Sequence, residues 1–428
     1  MASTYFKRTG TTTVNTYTFS AWIKLGTLSS ANNTYQVLFS SGNQNILGLY
    51  GGPTTSGWNA LYHYNNTNLW WTNNLLRDTS AWYHVVAKVS SGTVTTYING
   101  VQTSYATSTY SLGALETTTD KTCVGVYAPS TTSFFTGSMA NVEFVSGTAL
   151  GPEYFGSTDT ATGIWKPGGS STISDYGADG FKLKMDTTSP QNDTSGKGNN
   201  FTLGGGTPTL LQGSPSNVYA NFNPLYKSQE TLAYGNTASS LPSSGEKFGG
   251  ACTIAVSTGK WYAEFKMNSG SSSDSTAVGI YGDITSAATA NQGVGKQACS
   301  ICYKSNGEKG IENVFSSYGA TYTAGNIIGV ALDMTSSTKN ITFYKDGATQ
   351  GNITFTIEQN NEYSGFMHMA ANSNSSSHGS DWWANFGEGF FGTTAAGTNA
   401  DGNGQGLFAY AVPSGYYALN TKNLEAYG

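Results

Sequence analysis

The chain has 428 residues, a net charge of −5 and only 11% charged residues, with Gly (54) and Tyr (27) abundant among many Ser, Thr and Asn. So little Glu and Lys excludes a body of long amphipathic helices, and so thin a scatter of Lys and Arg excludes the concentrated basic face that phosphate backbones require. A 38% hydrophobic and 13% aromatic content excludes general disorder and suffices for the cores of two or three domains.

The first residues show neither the apolar core of a signal peptide nor an apolar stretch long enough to span a bilayer. The protein is therefore expected to be made in a cytoplasm and to remain soluble, without membrane insertion. From Tyr17 to Phe155 the pattern is strand after strand, each punctuated by turn residues: YTFSAWIKLG, QVLFSSG, NILGLYGG, ALYHYN, NLWWTN, AWYHVVAKV, TVTTYING and ANVEFVSG. Asn99-Gly100 supplies the positive φ angles of a two-residue hairpin. Residues 157–250 are richer in Gly, Ser, Thr and Asn and read as a connector with local strands. One strand is expected at 176–186, 193–203 reads as a turn-rich loop leading to another, and either sandwich could claim these strands. From Lys260 the alternation resumes in KWYAEFKMN, where Trp261, Ala263 and Phe265 share one face. It continues through AVGIYGD, NIIGVALDM and NITFYKDG to a second hairpin at Asp346-Gly347. The fold class is thus all-β, with two antiparallel β-sandwich or jelly-roll domains, at 1–156 and 251–428, joined by the 157–250 connector.

Several segments also carry a resemblance. FSAWIKLG, RDTSAWYHVVAKV, TTYINGVQ and GSMANVEFVSGTALGPEYFG occur in the order of a laminin-G-like, concanavalin-type lectin domain. KWYAEF, VGIYG, GNIIGVALDM and ITFYKDG resemble a SPRY domain, another two-sheet sandwich. The ending, WANFGEGFFG and GLFAYAVPSGYYALNTKNL, and the spacer DTSGKGNNFTL are similar to virion proteins of marine tailed bacteriophages that join these two domains. That resemblance implies a structural protein on the virion surface, a tail fibre or adhesin or a head fibre or decoration, assembled in the host cytoplasm. Its implied partners are other virion structural proteins and host cell-surface polysaccharide, and its implied state is a homotrimer. A cellular lectin is the alternative reading, and a polysaccharide-degrading glycosidase the third.

No catalytic residue is assigned. His63, His84, His368 and His378 fall in no motif pairing a nucleophile with a base. Glycoside hydrolysis requires two carboxylates across the scissile bond, whereas Glu143 stands alone and Glu358, Glu362 and Glu388 are dispersed. No metal or cofactor is expected. Cys299-x-x-Cys302 lacks a second ligand pair, Cys123 and Cys252 stand apart, and Asp78 and Asp120 suit turns. The free thiols are expected to be buried. The Asn-x-Thr triplets at Asn32, Asn65, Asn200, Asn340 and Asn352 are expected by chance in this composition.

Carbohydrate binding is better served, because sugars are held by aromatic faces and neutral hydrogen-bonding groups. The densest aromatic patch contributes Trp58, Tyr62, Tyr64, Trp70 and Trp71, and a second contributes Trp382 and Trp383. Alternation places Tyr62 and Tyr64 on one strand face, with His63 on the other. Trp70 and Trp71 must also part to opposite sides, so one member of such a pair belongs to the core.

Overall fold

The computed structural model describes the chain except residues 1–3, 29–32, 43–44, 52–58, 117–120, 187, 226–229, 242–249, 271–275, 283–292, 297–298, 357–364 and 374–378. The chain divides into two compact units, Met1–Leu210 and Leu211–Gly428. Each is a β-sandwich with its own apolar core.

In the first unit, a seven-stranded sheet runs in the order Thr202–Gly204, Tyr5–Thr9, Lys121–Val124, Tyr35–Ser41, Asn45–Tyr50, Ala60–Tyr64, Leu69–Leu75. The facing six-stranded sheet runs Val101–Gln102, Thr93–Ile98, Trp82–Ser90, Tyr17–Leu25, Gly137–Ser146, Phe181–Leu183. Neighbouring strands in both sheets are antiparallel. Strand alternation sends Phe19, Leu61, Trp70, Val85 and Phe144 into the common core.

Tyr17–Leu25 is buried at every position. Its inner residues Phe19, Ala21 and Ile23 join that core, while its outer residues Ser20 and Trp22 lie beneath the covering segment 147–180, which contributes Phe155, Trp165 and Tyr176. Thr18 ties the cover down, its hydroxyl donating to the Thr148 carbonyl and accepting from the Leu150 amide.

In the second unit the larger sheet runs Thr231–Ala233, Ala238–Leu241, Ser380–Asn385, Lys260–Ser269, Ile327–Asp333, Lys339–Lys345, Ala348–Phe355, with Tyr417–Ala418 added in parallel to Lys260–Ser269. The second sheet runs Val314–Ser317, Glu308–Ile311, Ser300–Lys304, Thr276–Gly282, Met367–Ser373. The C-terminal segment crosses the outer face of the larger sheet, where Phe408 and Ala418 pack on Tyr262 and Ala331. It ends in the helix Thr421–Tyr427, whose Asn420 side chain accepts from the Asn423 amide as an N-cap.

Both expected hairpins form. Asn99 and Gly100 have φ of 48° and 78°, and Asp346 and Gly347 have 47° and 80°. The segment 157–250, expected to be a connector, is divided between the units. Phe181–Leu183 pairs with Gly137–Ser146 and Thr202–Gly204 with Tyr5–Thr9, whereas Ala238–Leu241 pairs with Ser380–Asn385. Its DTSGKGNN stretch is an ordered loop of the first unit. Asp193 accepts from the amides of Lys182, Ser195 and Asn199, and Asn199 donates to the carbonyls of Ala178 and Gly180. The four cysteines are free; Cys123, Cys252 and Cys302 are buried, and Cys299 is half-buried in a turn before its strand.

Candidate functional site

The outer face of the seven-stranded sheet is aromatic. Four adjacent strands place Val37, Gly48, Tyr62 and Trp71 in one cross-strand row, with Tyr35 opposite Tyr50 in the next and Tyr64 opposite Leu69 on the other side. The rings of Tyr35 and Tyr50 stack at 5.2 Å, Trp71 lies 5.2 Å from Tyr50, and Tyr62 meets Tyr35 edge-on at 5.3 Å. Gly48 makes this possible. A Cβ there would stand 2.4 Å from the Gln36 carbonyl oxygen and 2.6 Å from the Tyr62 ring, so glycine lets that ring fold onto the sheet.

A turn over residues 125–136 completes the patch. The Val37 amide donates to the Ser133 carbonyl and the Ser40 hydroxyl to the Val126 carbonyl, which brings Tyr127 against the cluster. Tyr50 and Tyr62 are buried, while Tyr35, Tyr64, Trp71 and Tyr127 are half-buried and keep surface open to solvent. The Tyr50 hydroxyl donates to Asn33 Oδ1 at 3.1 Å. Burial raises the pKa of Tyr35, Tyr50, Tyr62 and Tyr127 above the ordinary phenol value, so all four remain neutral hydrogen-bonding groups at physiological pH.

Of the residues expected to bind, Tyr62, Tyr64 and Trp71 come together here. Trp70 does not. It points into the core, fully enclosed, stacked at 5.7 Å on His63, whose ring nitrogen bonds the Thr96 hydroxyl. Trp382 is likewise fully enclosed in the second unit's core and offers no ring face to a ligand. Trp383 turns outward in that unit, half-buried beside Tyr234 and Lys266. Trp58 lies outside the described residues. Tyr35, Tyr50 and Tyr127 were not anticipated, because cross-strand partnership is invisible in a local pattern. A signal was nevertheless present: from Leu25 to Leu76 the sequence contains no Asp, Glu, Lys or Arg.

Among the described residues, His63, His84, His368 and Glu143 make their contacts away from this face. His84, on the covered face, accepts from the Trp165 indole N–H at Nδ1 (3.0 Å). The neutral ring therefore carries its proton on Nε2 and donates to Ser20 Oγ at 2.9 Å. That polarity is the reverse of a base activating a serine. Burial lowers His63 and His84 to about 3. Glu143 is buried in the first unit, accepting from Tyr176 and paired with Lys182 at 3.1 Å. Glu388 is buried in the second. His368 bonds the Cys252 carbonyl through Nδ1. Glu358, Glu362, His378 and Asp120 lie outside the described residues.

Residues 2–153 match the family described as the Concanavalin A-like lectin/glucanases superfamily, and residues 260–378 match the SPRY domain. The chain thus joins a laminin-G-like, concanavalin-type sandwich to a SPRY sandwich. No curated protein matches it. Among solved structures, a human SPRY domain shares 16% identity at a TM-score of 0.29, the match covering 37% of this chain and 94% of that one. A putative carbohydrate binding protein from Bacteroides ovatus shares 19% at a TM-score of 0.36, covering 48% of this chain and 58% of that one. Domain 4 of an extracellular arabinanase from Geobacillus stearothermophilus, in complex with arabinotriose, shares 20% at 0.25, covering 33% and 66%.

Proposed function

We propose that the protein is a non-enzymatic carbohydrate-binding adhesion protein that engages glycan through the tyrosine-tryptophan face of its first sandwich. The observation that carries this reading is the gathering of Tyr35, Tyr50, Tyr62, Tyr64, Trp71 and Tyr127 on the outside of a sheet, with four of the rings still reaching solvent. Aromatic side chains on an outer sheet face lack the burial that normally rewards them, and their ring faces match the C–H faces of pyranose rings. The concanavalin-type family match supports the same reading.

The setting we propose is the exterior of a tailed-phage particle, as a tail fibre or adhesin or a head fibre or decoration, trimeric and packed against other virion proteins. The order of its two domains and the resemblance of its C-terminal segment support this. The binding reading is tested with the full chain on a panel of cell-surface polysaccharides. Trp71→Ala and Tyr35→Ala, at half-exposed positions, should each weaken binding at least about tenfold with folding intact, as loss of one stacked ring does. Trp383→Ala should leave it unchanged. Equal binding by all three variants would refute this site. Gold-labelled antibody on purified particles tests the setting, and unlabelled particles would contradict it.

A further inference from the structure

The structure assigns the aromatic face to an uncharged glycan, one recognised by ring stacking and phenol hydroxyls rather than by ion pairing. The inference rests on the glycan-binding reading above and narrows its ligand class. The strands that form the face, Tyr35–Ser41, Asn45–Tyr50, Ala60–Tyr64 and Leu69–Leu75, contain no Asp, Glu, Lys or Arg. The 125–136 turn that brings in Tyr127 contains none either. Such an interval is long for a chain with 45 formal charges, and it is bounded by Lys24 and Arg77.

The one titratable nitrogen base on these strands, His63, points away from the face into the core. The nearest charged strands of the same sheet, Lys121–Val124 and Tyr5–Thr9, lie beyond Tyr35–Ser41. Of their cations, Arg8 is committed to Asp179 and Asn199, and Lys7, which shares the outer face, is separated from Tyr35–Ser41 by the whole strand Lys121–Val124.

A uronate or sulfate ester on this surface would lose water without gaining a cation, a cost that a neutral sugar avoids. A neutral pyranose gains on both counts. Its apolar C–H face covers the half-buried rings of Trp71, Tyr35, Tyr64 and Tyr127, and its hydroxyls meet phenols that both donate and accept. Binding of this kind changes little with ionic strength, because neither partner's contact is a screened ion pair.

The test uses the full chain against neutral polymers (cello-oligosaccharide, mannan, dextran) and anionic ones (alginate, chondroitin sulfate), at low and high NaCl. The expected result is binding to at least one neutral polymer and to neither anionic one. Its affinity should vary less than about twofold between 0.05 and 0.5 M NaCl and fall at least about tenfold in Trp71→Ala. Preference for alginate or chondroitin sulfate, or affinity collapsing with salt, would overturn the neutral-ligand inference while leaving glycan binding in place. Binding to none of the five would overturn both. A neutral polymer retained by Trp71→Ala and by Tyr35→Ala alike would move the site away from this face.

Discussion

Single residues decide which aromatic rings are available and which are structural. Tyr62 can lie flat because position 48 is glycine, and the 2.4 Å approach to the Gln36 carbonyl is to backbone, which cannot rotate away. Gly48→Val should therefore destabilise the first unit by about 1–3 kcal/mol, as overpacking does, and should displace Tyr62, measurable as a lowered denaturation midpoint together with weakened glycan binding. A Gly48→Val variant of unchanged stability would show that the ring has another way to settle.

The buried histidines set a pH dependence in the same unit. His63 and His84 are held at about 3, well below the usual 6.5, by burial. The unfolded chain thus binds more protons than the folded one between these values. Their contribution is complete above pH 6.5 and is lost as pH falls towards 3, at about 1.4 kcal/mol per unit for each. The first unit's melting temperature should accordingly drop from pH 7 to pH 4, and His63→Leu or His84→Phe should flatten that slope. A flat wild-type profile would contradict the burial assigned to both rings.

At the scale of elements, the two hairpins show a device used twice. In each, a glycine with positive φ is also the floor for an aromatic ring from a later covering segment: Trp165 would lie 2.7 Å from a Cβ at Gly100, and Tyr410 2.7 Å from one at Gly347. Gly163, at φ 71° with open space around it, shares the backbone requirement without the ring. Gly100→Ala and Gly347→Ala should thus cost roughly 1–3 kcal/mol more than Gly163→Ala, the excess being the displaced ring. Equal costs in chemical denaturation would reduce the device to turn conformation alone.

The second cover is also anchored by hydrogen bonds to a buried carboxyl group. The Glu264 carboxylate accepts from the Ala409 and Tyr410 amides at 2.8 and 2.9 Å, although burial pushes it up to about 7. Strands and hairpins such as 93–102 and 339–355 were legible in the sequence because alternation and turn chemistry are local. The covers over 147–180 and 399–420 were not, since each is a Gly-rich stretch held by a few aromatic anchors whose partners are distant in sequence.

At the scale of the whole molecule, two sandwiches in the expected order were readable from composition, spacing and resemblance. The division of 157–250 between them was not, because short strands such as Phe181–Leu183 reveal their allegiance only through pairing with Gly137–Ser146. Trp70 and Trp71 illustrate the same limit within the site. Alternation required one to be core, and only the register of sheet on sheet decides that it is Trp70. Since each unit has its own core, fragments 1–210 and 211–428 expressed separately should each unfold cooperatively, and a molten 1–210 fragment would show that the first sandwich depends on the second.

The most direct test of the central claim is a crystal or cryo-electron-microscopy structure of the full chain with a bound neutral oligosaccharide. Sugar density is expected against Trp71, Tyr35 and Tyr127 on the outer face of the seven-stranded sheet, and density only elsewhere in either unit would contradict glycan binding at this face.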